Sequence, residues 1–143
     1  MTTITASAKE GIVVCDSRMQ TGEHWWPGEK VTRIGDTLVG CAGDSATIIK
    51  FIEWLGGDRS TKAKLPDDFN ALVLNKDGLT YWCRTLIPSP VERGFHAIGS
   101  GGNAALGAMM AGACCKEAVR IACQIDINSG GDIRVHKLKR GRK

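Results

Sequence analysis

The hydrophobic period changes in a fixed order along this chain, and that order narrows the choice of fold more than any composition figure does. Alternating patterns come first, over residues 2–8, over 12–15 after the turn residues Lys9-Glu10-Gly11, and over 30–34 and 38–42 around Gly35-Asp36. These patterns predict antiparallel hairpins. From Asp44 the period becomes helical. Ile48, Phe51, Ile52 and Leu55 fall at i, i+3, i+4 and i+7, with Asp44 or Ser45 as N-cap and Gly56-Gly57 as the stop. Residues 69–74 and 79–84 are strand-like again and are joined by Asn75-Lys76-Asp77-Gly78, so a second hairpin follows the helix. After Pro88 and Pro90 a short strand over 95–98 runs into Gly99-Ser100-Gly101-Gly102, and residues 103–123, rich in Ala, Met and Leu, form one or two helices. The chain closes with residues 125–128, the turn Ser129-Gly130-Gly131 and an alternating strand over 132–138. Hairpins, a helix, a hairpin, a helix pair and a last strand make an α+β pattern, which two antiparallel sheets between helical layers would satisfy.

A length of 143 residues suits one domain. The expected layout is a folded domain over 1–136 and a basic tail over 137–143. No apolar run approaches the ~20 residues that cross a bilayer, and the opening MTTITASAKEG has no basic segment leading into an apolar one. The expectation is therefore a soluble, unexported protein in the cytoplasm with no membrane partner. Its formal charge of +4 is local: Lys137, Lys139, Arg140, Arg142 and Lys143 supply five positive charges, and taking them away leaves the rest at −1. A solvated tail is the first reading and a polyanion contact the lesser one, so nucleic acid is not an expected partner. The six cysteines form no C-x-x-C pair and have no metal-ligand spacing to the three histidines, so no metal site is expected and they read as small packing residues.

Chemistry is suggested at the start. Thr2 is small enough to permit methionine removal, which would leave a hydroxyl and a free α-amine on one residue. An α-amine with a pKa near ~7.7–8.0 has a useful neutral fraction at physiological pH and can accept the hydroxyl proton without a histidine. Met-Thr alone is common and proves nothing, so the weight falls on the motifs downstream of it. Thr2-Thr3-Ile4-Thr5, Gly11-Ile12-Val13-Val14-Cys15-Asp16-Ser17-Arg18, Gly28-Glu29-Lys30-Val31, Cys41-Ala42-Gly43-Asp44, Ile98-Gly99-Ser100-Gly101-Gly102 and Asp126-Ile127-Asn128-Ser129-Gly130-Gly131 occur in this order. In that order, over residues 2–138, the chain resembles proteasome β-subunits and their relatives, the N-terminal-nucleophile (Ntn) threonine peptidases. The helix-leading G-S-G-G is nearer to the bacterial HslV-type peptidase, and D-x-x-S-G-G nearer to true proteasome β-subunits.

The resemblance implies an αββα sandwich and a role for each matching residue. Thr2 would be the nucleophile and its own amine the base. Lys30 would lower the hydroxyl pKa electrostatically, and Asp16 would keep that lysine charged and oriented. Ser100, Asp126 and Ser129 would hold the amine, and the Gly43 N–H would form the oxyanion hole. Gln20, Thr32, Cys41, Ser45 and Ile49 would line the pocket for the residue before the cut, a set without charge that suits apolar or small side chains. An extended substrate would add as a strand along Gln20 and residues 43–45. His24-Trp25-Trp26-Pro27 would either edge this cleft or pack against a neighbouring subunit. The implied activity is threonine-type endopeptidase, needing no cofactor. The implied assembly is a homo-oligomeric double ring of six or seven subunits per ring, acting on unfolded polypeptides and open to feeding by an ATP-driven unfoldase. A non-catalytic ring or scaffold subunit that keeps Met1 is the alternative. Two departures stand out: Thr2 and Asp16 are 14 positions apart, two fewer than the pattern leads one to expect, and residues 58–68 are too short and polar for the family's second long helix.

Overall fold

The computed structural model describes residues 2–59 and 65–139. In chain order the elements are β1 (Ile4–Ser7), β2 (Ile12–Cys15), β3 (Arg18–Thr21), β4 (His24–Pro27), β5 (Val31–Ile34), β6 (Thr37–Ala42), α1 (Ser45–Gly56), β7 (Asn70–Asn75), β8 (Gly78–Cys83), β9 (Ser89–Pro90), β10 (Phe95–Ile98), α2 (Gly102–Met110), α3 (Cys115–Ile125) and β11 (Arg134–Lys137). One antiparallel sheet has the order β10-β1-β2-β11 and the other β5-β6-β7-β8-β9, while β3 and β4 form a separate hairpin.

The alternation along the strands builds the layers. Ile4, Ala6, Val13 and Cys15 of the first sheet meet Leu38, Ala42, Leu72, Leu74 and Leu79 of the second in one buried cluster. The opposite face of the first sheet, through Val14 and Ala97, packs on Ala105, Met109, Ala118, Val119 and Ala122 of α2 and α3. The outer face of the second, through Val39, Cys41, Ala71, Val73 and Trp82, packs on Phe51 and Leu55 of α1. The result is the expected α+β, four-layer αββα sandwich. Gly40 keeps the two sheets close, since a Cβ there would stand 2.8 Å from Ile4 Cγ2.

Helix α1 starts where expected, with Asp44 as N-cap accepting the N–H groups of Ala46 at 3.0 Å and Thr47 at 3.2 Å. Residues 103–123 resolve into two helices, broken at Gly112 with φ +110°. The closing run starts later than the pattern predicts: Ile125 still belongs to α3, and the last strand is Arg134–Lys137. The hairpin of β3 and β4 is an element the pattern did not reveal. Most of its residues are exposed, so no buried face imposes an apolar alternation.

Among the described residues no helix lies between α1 and β7; residues 60–64 of that stretch are outside the described residues. Leu65 and Phe69 pack in the cluster under α1. The tail begins inside the fold: Lys137 pairs with Ile12, and the Leu138 N–H donates to Gly11 O at 2.9 Å. Arg140, Arg142 and Lys143 lie outside the described residues. Cys15, Cys41 and Cys115 are buried as packing residues, whereas Cys114 is exposed. Among the described residues, no helix is long and apolar enough to cross a membrane.

Candidate active site

The seven residues implied as catalytic come from six places in the chain and gather around Thr2 and Thr3, which lead into β1. Asp16, at the end of β2, is completely buried, and its Oδ1 accepts the Lys30 ammonium at 2.8 Å and the Thr3 N–H at 3.0 Å. Its Oδ2 accepts the Gly130 N–H at 3.0 Å. A buried carboxylate is tolerable only when paired and hydrogen-bonded, and these three donors supply both conditions. The Lys30 side chain is 4% exposed, so this cation is held beside β1 in a nearly dry setting. Asp16 thereby ties β1, the strand-leading Lys30 and the turn at residues 126–131 to one point.

A second network lies on the other side of Thr2. Ser100 Oγ and Ser129 Oγ each donate to Asp126 Oδ2 at 2.6 Å. Having one proton apiece, both hydroxyls are then left as acceptors toward β1. Ser100 Oγ accepts the Thr2 N–H at 3.0 Å, and Ser129 Oγ, 2.7 Å from Thr3 Oγ1, accepts that hydroxyl proton. Burial opposes the charge on Asp126, but the bonds from Ser100 and Ser129 and the Asn128 N–H outweigh it and hold the carboxyl below its ordinary range. The proton directions therefore follow from an ionised Asp126.

Two glycines make room for this arrangement. Gly99 has φ +95°, and a Cβ on it would collide with the Thr2 carbonyl, while its neighbour Gly101 donates its N–H to that same carbonyl oxygen at 3.2 Å. Gly43 has φ +141°, a conformation that L side chains rarely adopt, and it precedes the cap of α1.

Thr2, 7% exposed, lies where two clefts meet. The first, of about 430 Å³, is lined by Thr2, Lys30 and Gly43 together with all five residues implied for the specificity pocket: Gln20, Thr32, Cys41, Ser45 and Ile49. It is not free of charge, as the five residues alone suggested, because Arg18, Glu29 and Asp44 line it too. Each of these is engaged elsewhere: Arg18 with Ile127 O at 3.1 Å, Glu29 with backbone N–H groups, Asp44 with the start of α1. Met19 and Ile48 add apolar wall. The second cleft, of about 420 Å³, is lined by Thr2, Ala42, Gly43, Asp68, Asn70, Gly99 and Ser100. Asp68 was missed from sequence because it stands at the end of an irregular stretch with no motif around it, and Asn70 because it opens a strand whose pattern carries no chemistry.

The exposed Trp25 and Trp26 lie on the β3–β4 hairpin, with Trp25 opposite Gln20 and under the Arg18 guanidinium, 5.5 Å from the ring centre. One group of metal-ligand types does converge, Cys15, Glu29 and His136, with donor atoms within 4.8 Å of one another. Glu29 Oε1 already accepts the N–H groups of Lys30 and Val31, His136 Nε2 at 3.1 Å and the Cys15 thiol at 3.7 Å. Burial first, and then the Glu29 charge, push the Cys15 thiol up to about 12. These groups act here as a hydrogen-bonded brace under the backbone of Lys30.

Comparison with solved structures gives the same architecture at full length. Thiobacillus denitrificans BPH in complex with epoxomicin superposes with a TM-score of 0.73 at 18% identity, covering 96% of this chain and 100% of that one. Eukaryotic HslV from Trypanosoma brucei gives 0.73 at 23% identity, covering 96% and 99%, and a second BPH structure gives 0.73 at 19%, covering 97% and 100%. The chain has the HslV fold. At these identities the likeness is one of architecture. Because it spans nearly all of both chains, the short link between α1 and β7 leaves the HslV fold intact. No family model and no curated protein sequence matches the chain.

Proposed function

We propose that the chain is the threonine endopeptidase subunit of a self-compartmentalised, proteasome-like protease, with Thr2 as nucleophile once Met1 is removed. The observation that carries this reading is the position of the Thr2 nitrogen. It rests on Ser100 Oγ, a hydroxyl that an ionised Asp126 turns into an acceptor. A free amine there gives one N–H to Ser100 and keeps its lone pair for the Thr2 hydroxyl proton. The Lys30 ammonium, held by Asp16, favours the alkoxide that forms as Thr2 Oγ attacks a peptide carbonyl. The amine takes the hydroxyl proton, and the Gly43 N–H receives the oxyanion. Collapse breaks the C–N bond, the departing amine takes the proton back, and an ester remains on Thr2. Water, deprotonated by the same amine, attacks the ester and releases the acid with Thr2 restored.

In this reading the first cleft holds the acyl side of the substrate, with Gln20, Thr32, Cys41, Ser45 and Ile49 around the residue before the cut, and the second holds the leaving side. Exposure of such a site calls for enclosure, and the exposed Trp25, Trp26, Ile125 and Ile127 supply apolar area for subunit contacts in a homo-oligomeric double ring. Rings of six or seven subunits, unfolded polypeptide substrates, an ATP-driven unfoldase and a cytoplasmic setting belong to the same reading. The test compares hydrolysis of unfolded casein by the Met1-free chain and by Thr2→Ala. The expected result is turnover in the first and none above background in the second, with both the same size in gel filtration. Equal turnover would remove Thr2 from the chemistry.

A further inference from the structure

The two clefts that meet at Thr2 differ in chemistry. Among the described residues, Thr2 and Gly43 alone line both. Among the described residues, the one charged residue lining the second cleft is Asp68, which is exposed and has no ion-pair partner among them; the neighbouring Asp67, not Asp68, pairs with Arg84. Beside it, Asn70 at the start of β7 has a buried Oδ1 without a hydrogen-bond partner. That oxygen is closed to solvent, so Asn70 adds polar wall to the cleft and the exposed Asp68 carries its charge. Behind Ser100, Asp126 adds a second carboxylate, kept ionised by its hydroxyl partners.

Resting on the Thr2 reading above, we propose that this cleft binds the residue just after the scissile bond and selects lysine or arginine there, with Asp68 supplying the charge. A substrate carbonyl placed at Thr2 and Gly43 sends its chain into both clefts, and an extended peptide advances about 3.3 Å per residue, so the leaving-side residue falls in the second. Lysine and arginine side chains bring N–H donors and positive charge and no acceptor, which matches an exposed carboxylate. A glutamate there meets Asp68 as a like charge.

The test uses fluorescence-quenched peptides identical up to the cut and carrying Lys, Ala or Glu immediately after it. An aminocoumarin amide of the same acyl segment serves as the internal reference for each variant. The Met1-free chain is expected to cleave the Lys peptide with kcat/KM about tenfold above the Glu peptide, with Ala between. Asp68→Lys is expected to reverse that order, and Asp68→Asn to compress it toward unity. Aminocoumarin release together with equal Lys and Glu rates, or an order unchanged in Asp68→Lys, overturns the inference and leaves the Thr2 reading standing. Absence of aminocoumarin release from the Met1-free chain overturns the Thr2 reading and this inference with it.

Discussion

Two carboxylates flank the first residues of β1, and they are held in opposite ways. Asp16 is fully buried and is met by an ammonium and two backbone N–H groups, donors whose positions the sheet and turn fix. Asp126 is partly exposed and is met mainly by two serine hydroxyls, which rotate freely about their Cβ–O bonds. The difference separates two tasks. A carboxylate surrounded by fixed donors sets where Lys30 and Thr3 sit, so removing it is a structural event. A carboxylate surrounded by hydroxyls sets which way protons point, so removing it changes what Ser100 and Ser129 offer to Thr2 and Thr3.

Breaking the fixed side gives the largest effect. Lys30→Ala is expected to lower turnover of unfolded casein by at least about a hundredfold. It is also expected to cost about 3–5 kcal/mol in urea unfolding, because Asp16 is left buried without its cation. Gly99→Ala comes next: the added methyl meets the Thr2 carbonyl, so a stability loss of about 1–3 kcal/mol should accompany loss of activity. Ser100→Ala acts on the rotating side and is expected to lower kcat about tenfold, with a change of ~1 kcal/mol or less in urea unfolding. An equal stability loss in Ser100→Ala and Lys30→Ala would erase the distinction between the two carboxylates.

Acid sharpens the same comparison. Asp126 is held below the ordinary carboxylate range, so its contribution to stability is complete above that range and disappears as pH falls through its lower native value. Asp126→Asn should flatten that part of the melting temperature against pH curve by lowering the neutral part toward the acid one. The rate should follow a different group: kcat/KM is expected to rise with pH through an apparent value near the ~7.7–8.0 of an α-amine, and Asp126→Asn should move that midpoint. The smallest effect is expected at Cys114→Ser, an exposed thiol, within about ±0.5 kcal/mol of the parent.

The layers were legible because alternation is imposed wherever a strand lies between two packed faces. Leu38, Val39, Gly40, Cys41 and Ala42 point alternately to the central core and to α1, and the pattern shows it. Where both faces meet solvent no such rule applies, and the β3–β4 hairpin with its exposed tryptophans left no periodic trace. The candidate site was legible in a similar way. Asp16, Lys30, Gly43 and Ser100 sit in short motifs whose order could be matched, and the structure brings them around Thr2. Asp68 reaches that place through a stretch without motif or period, and Asn70 through a strand whose pattern carries no chemistry, so only the folded chain shows them beside Thr2. Charge was harder to read than position: a pocket set without charge in sequence acquires Arg18, Glu29 and Asp44 once neighbouring elements fold around it.

The most direct measurement is the intact mass of the chain before and after incubation with epoxomicin, the ligand in the BPH complex, a reagent whose double linkage to a terminal threonine needs both hydroxyl and free amine. Loss of Met1 and one adduct per chain, absent in Thr2→Ala, is the result expected of a Thr2 nucleophile. A chain lacking Met1 that takes up no adduct would contradict it.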